Sequence, residues 1–76
     1  MKTNKEKANC VSFELCNLIS EFKSKELTEE TLVDYVSTIL RDAGVNSDIV
    51  IDVLEREQFG AIGKEAARTI KIIEGY

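Results

Sequence analysis

Residues 27–44 read LTEETLVDYVSTILRDAG, one amphipathic helix with its own start and its own stop. Thr28 is a good N-cap, because its hydroxyl accepts from a backbone N–H that has no partner in the first turn. Leu27 before it and Leu32 after it suit a hydrophobic staple. Glu29 and Glu30 place negative charge at the positive end of the helix dipole. Gly44 suits the left-handed residue that ends a helix. At about 100° per residue, Leu32, Val33, Val36, Ile39, Leu40 and Ala43 share one broad arc, with Tyr35 at its edge. An arc that wide predicts the central helix of a bundle.

The rest of the 76-residue chain extends the pattern in both directions. Thr3-Asn4-Lys5-Glu6 matches a capping box, and Asn9 offers a later start, so residues 1–8 are either helix or a frayed arm. Ala8, Val11, Leu15, Leu18, Ile19 and Phe22 form a tight apolar stripe, with Phe13 nearly opposite it. Beyond Gly44, Asn46 can cap a third helix, with Gly60 past its end. Its inward residues are Ile49, Val50, Val53 and Leu54. A fourth helix is expected over residues 63–74, with Ile62, Ala66, Ile70 and Ile73 inside and Lys64, Arg68 and Lys71 outside. The fold class is therefore all-α: a small single-domain bundle of four short helices over residues 1–76.

Charge is unevenly placed. The net charge is −4, yet residues 26–57 hold nine acidic side chains against Arg41 and Arg56, while residues 1–7 and 58–76 are mildly basic. An acidic middle disfavours nonspecific nucleic-acid binding and favours a basic partner. No apolar run approaches the roughly 18 residues of a membrane span, and nothing resembles a signal peptide. Cys10 and Cys16, six residues apart on one helix, lie about 9 Å apart along its axis and cannot pair with each other. Two free thiols suggest the reducing cytoplasm.

Catalytic chemistry has little to use. The chain has no His, the side chain that titrates near neutral pH, and neither thiol has a neighbour that would activate it. Asp48 and Asp52 stand one turn apart, but an exposed carboxylate pair is ordinarily solvated charge. Zinc would find no imidazole and two thiols aimed apart, and the alternating acids of a calcium loop are missing. The expectation is a noncatalytic protein with no metal and no cofactor.

Two patterns resemble nucleic-acid-binding motifs. Ile39, Leu40, Ala43, Gly44, Val45, Val50 and Val53 have spacings similar to a helix-turn-helix. The residues that would read bases there are Asp48, Ile49, Ile51 and Asp52, whose carboxylates would face phosphates. Gly60-Ala61-Ile62-Gly63-Lys64 resembles the GxxG loop of KH domains, but that module needs strands, and none is predicted. Walker spacing is absent.

The leading expectation is a small acidic regulator (inhibitor, adaptor or antagonist) that acts by protein–protein binding to a partner with a basic surface. Its predicted contact face is Asp48, Ile51, Asp52 and Glu55, which recur at three- and four-residue spacing on the outer side of the third helix. The alternative face is the basic stripe Lys64, Arg68 and Lys71. The second reading is a helix-turn-helix DNA-binding regulator. The third is a self-associating subunit, in which Phe13, Tyr35 or Ile72 closes a homodimer.

Overall fold

The computed structural model describes residues 3–75. Helix α1 (Asn4–Lys23) leads into α2 (Glu29–Ala43), α3 (Ser47–Leu54), a 3₁₀ turn (Glu57–Phe59) and α4 (Gly60–Glu74). No strand occurs among the described residues, so the all-α bundle of four helices is the fold.

The local signals that start and stop the first two helices act as written. The Thr3 hydroxyl accepts from the Glu6 N–H at 3.2 Å and lies 3.3 Å from the Glu6 carboxylate. Residues 4–8 are accordingly helix and not an arm; Met1 and Lys2 lie outside the described residues. Thr28 accepts from the Thr31 N–H at 3.2 Å, and Gly44 ends α2 at φ 67°. Asn46 stands at the N-cap of α3, but its side chain makes no capping bond. Helix α1 ends differently. Lys25 takes φ 64° while Glu26 N–H donates to the Glu21 carbonyl and Lys25 N–H to the Phe22 carbonyl. This is a Schellman closure with lysine where glycine is usual.

Three expectations are corrected. First, α1 and not α2 is the central helix. It packs against all three others, whereas α2 packs chiefly against α1. Small side chains make this possible: Ala8 and Ser12 are wholly buried, so neighbours approach α1 closely. The Ser12 hydroxyl is satisfied by donating to the Ala8 carbonyl at 2.7 Å.

Second, α3 stops at Leu54 instead of running to Gly60, and α4 begins at Gly60 instead of Gly63. Glu55 N–H donates to the Ile51 carbonyl and Arg56 N–H to the Val53 carbonyl, which closes the helix early. Phe59 then turns inward and is buried. Gly60 takes φ 62°, ψ −151°, a region essentially reserved for glycine, and so reverses the chain into α4. Gly63 has a different task. It is buried, and a Cβ there would fall on the Leu54 carbonyl oxygen and the Phe59 Cβ. Its bare backbone lets α4 press against the end of α3.

Third, Ile51 is buried at 7% exposure, not outward-facing. Helix α3 has only eight residues and is packed by α1 and by α4, so Val50, Ile51, Val53 and Leu54 are all covered. Conversely, Phe22 and Val33, expected in the core, are 37% and 38% exposed. Val33 sits on the border of its apolar arc and Phe22 in the last turn of α1, where the bundle has no further layer to cover them.

Candidate functional site

The predicted acidic face survives only in part. Asp48 and Asp52 on α3 and Glu55 at its C-cap are exposed, but without Ile51 they surround no apolar anchor. Asp52 pairs at 3.2 Å with Arg56, just past the end of α3, and Glu55 pairs with Lys71 at 3.1 Å across to α4. The two faces read as alternatives thus meet. Glu55, Lys64, Arg68 and Lys71 line one open cleft of about 370 Å³. Within it, Lys64 and Arg68 form no ion pair with any described residue.

The helix-turn-helix spacing corresponds to a real corner. Gly44 is left-handed, and Val50 and Val53 are buried. However, α3 packs chiefly on α1 and α4, and the charged side chains it exposes are carboxylates. The GxxG resemblance dissolves, because residues 60–63 form the first turn of α4 and not a loop.

A second surface stands out between α2 and α4, at the C-terminal end of α1. A groove of about 170 Å³ is lined by Phe22, Leu32, Val33, Thr69, Ile72 and Ile73, with Glu29 at its edge. Ile72 is 74% exposed, the largest exposure of any large apolar side chain among the described residues. The Lys23–Glu65 ion pair, 3.0 Å, joins α1 to α4 beside it. On the α2 side, Glu29, Glu30, Val33 and Asp34 line a wider cleft that shares Val33 and Glu29 with the groove. None of those three carboxylates forms an ion pair with a described residue. A contiguous apolar patch rimmed by charge is the usual mark of an interaction surface.

Of the three residues expected to close a homodimer, only Ile72 lies on this surface. Phe13 is 61% exposed but packs edge-on against Phe59, with ring centroids 5.0 Å apart. Tyr35 is two residues beyond Val33, about 200° round the helix, and so faces away. The sequence did carry a signal for the groove: Ile72 stands off the apolar stripe of its helix. Phe22 and Val33 carried none: an arc's edge, where Val33 lies, reads like its centre, and periodicity does not tell that the last turn of α1, where Phe22 lies, goes uncovered.

The two thiols differ in environment. Neither is in a disulfide; Cys10 is exposed and Cys16 half-buried. Burial pushes the Cys16 thiol above its ordinary value of 9.0, which keeps it protonated. Among the described residues no three His, Cys, Asp or Glu side chains are grouped to hold a metal ion, and no helix is long and apolar enough to cross a membrane. No family model matches the chain, and neither a curated protein nor a solved structure matches it.

Proposed function

We propose that this protein is a small noncatalytic regulator of the cytoplasm, an adaptor, inhibitor or antagonist that acts by binding protein. Its contact surface in this reading is the groove between α2 and α4. One observation carries the reading: Phe22, Val33 and Ile72, from three different helices, leave apolar surface open around a single groove. Burial of that surface is worth roughly 25 cal/mol per Å² to whichever chain covers it. The acidic side of α3 is retained only as a rim that favours basic surfaces, because its expected anchor lies in the core. A DNA-reading role for α3 is disfavoured by its exposed Asp48, Asp52 and Glu55.

The test compares affinity capture by three immobilised proteins. Wild type and Asp48→Lys/Asp52→Lys are expected to retain the same bound chains, while Val33→Asp/Ile72→Asp loses them at an unchanged melting temperature. Loss in the α3 variant with retention in the groove variant would move the site back to α3 and refute the groove.

A further inference from the structure

Charge and shape around the groove also select what seats in it; the inference rests on the groove being the contact surface and names the chemistry of its occupant. We propose that the groove takes an amphipathic helix of a partner protein, with apolar side chains one turn apart and Lys or Arg on one flank only. That basic flank lies along α2.

The two banks of the groove differ in charge. On the α2 bank Glu29 stands at the edge of the groove, and Glu30 and Asp34 line the adjoining cleft with it and Val33. None of the three carboxylates is in an ion pair with a described residue, and no described Lys or Arg lines the groove or that cleft. On the α4 bank the lining is neutral: Thr69, Ile72 and Ile73. The charged residue beside them, Glu65, is already held by Lys23 at 3.0 Å. The cations Lys64, Arg68 and Lys71 belong to the cleft they share with Glu55, on the α3 side of α4. An acidic chain, a nucleic acid or an anionic bilayer is therefore repelled at α2, and a chain with cations on that side is favoured. Glu30 and Asp34 stand one turn apart, about 6 Å along α2, which is the spacing of two cations at i and i+4 on a helix laid beside it.

Size and backbone agree with a helix. At about 170 Å³ the recess is smaller than the roughly 300–1,000 Å³ of small-molecule pockets. It suits an apolar side chain carried on a larger scaffold, and the exposed Phe22, Val33 and Ile72 extend the contact to a neighbouring turn. An extended segment would need a strand edge for its N–H and C=O groups, and the described residues contain no strand. A helix satisfies its own backbone and lays one apolar stripe into a crevice between two others.

The experiment is selection on the immobilised protein from a displayed library of random helical peptides of about 16 residues, long enough to hold a helix. Peptides enriched on wild type are expected to carry apolar residues at three- and four-residue spacing and Lys or Arg on one flank. Fluorescence anisotropy of the labelled peptides then gives affinities. Val33→Asp/Ile72→Asp abolishes binding. Glu30→Lys/Asp34→Lys weakens it about tenfold, and Asp34→Lys alone, beyond the first turn of α2, about threefold. Lys64→Glu/Arg68→Glu, on the far side of α4, leaves it unchanged. Selection repeated on Glu30→Lys/Asp34→Lys exchanges the basic flank for Asp or Glu, which also shows that this variant is folded. Selected peptides without a one-sided basic flank, or indifferent to the charge reversal on α2, overturn the proposal; if Val33→Asp/Ile72→Asp still loses them, the groove stands as the contact surface. A wild type that sediments as two chains, parted by that groove variant, overturns it in favour of a second copy. Absence of enrichment overturns it as well, and selected peptides indifferent to the groove variant overturn the groove reading with it.

Discussion

Replacing Gly63 by alanine tests the seat of α4 against α3. The substitution adds one methyl group inside a helix, where alanine is favoured over glycine by about 1 kcal/mol. On an unencumbered helix it would therefore stabilise. Here the new Cβ lands on the Leu54 carbonyl oxygen and the Phe59 Cβ. One is backbone at the closed end of α3, and the other is the stem of a buried ring, so neither can swing aside. Relief requires α4 to move away from α3, and overpacking of this kind costs about 1–3 kcal/mol, occasionally more. With backbone as the obstacle the upper end applies, and after the propensity gain the net loss is about 2 kcal/mol. For a domain of this length each kcal/mol lowers the melting temperature by about 4–8 °C, so a drop of roughly 8–16 °C is expected. Thermal unfolding followed by circular dichroism at 222 nm gives the number directly. Gly75→Ala is a useful contrast, since its Cβ would meet nothing within 4 Å and only the left-handed backbone, φ 79°, opposes it. A Gly63→Ala protein that melts at or above wild type would show that α4 is not seated on the end of α3.

Three further outcomes follow from particular residues. Lys25→Gly should stabilise by about 1 kcal/mol, raising the urea midpoint without changing the m-value, because Lys25 holds φ 64° inside a Schellman closure. Leu54→Ala should cost about 2–5 kcal/mol at a site with no exposure, whereas Ile72→Ala in dilute protein should change stability by less than about 0.5 kcal/mol; equal losses in urea titration would contradict the burial pattern. Cys16 sets a pH dependence: its folded thiol holds the proton above the ordinary 9.0, so the stability it contributes is complete below that value and is lost as pH rises past it. Melting curves between about pH 8 and 10 should therefore fall less steeply for Cys16→Ala than for wild type, and iodoacetamide should label Cys10 before Cys16.

Helix existence was legible because each segment repeats apolar residues at three and four, and both ends of α2 were legible because Thr28 and Gly44 each have one dominant use there. Gly60 was ambiguous for the opposite reason. Glycine both ends helices and reverses chains, and its φ 62°, ψ −151° serves the second use. Periodicity also reports where a face lies, not how many neighbours cover it. That is why Ile51 read as outward on a helix enclosed by α1 and α4, and why the narrow stripe of α1 hid its central place. Ser12 shows the same limit from the polar side: a serine on the helix is buried only because its hydroxyl folds back to the Ala8 carbonyl. The candidate surface was half legible. Ile72 was visible as an apolar residue off its stripe, but the groove beside it is made by Phe22 and Val33 from two other helices, and no single segment contains it.

The most direct measurement is the relaxation of methyl protons by a soluble, uncharged gadolinium chelate, with and without the protein that the wild type captures. In dilute protein Ile72, at 74% exposure, should be relaxed strongly, and buried Ile51 and Ile70 hardly at all. With the captured protein bound the Ile72 and Val33 methyls should become shielded, while the side-chain protons of Asp48 and Asp52 on α3 stay as accessible as before. Ile72 methyls that remain equally accessible in the complex would contradict the groove as the contact surface.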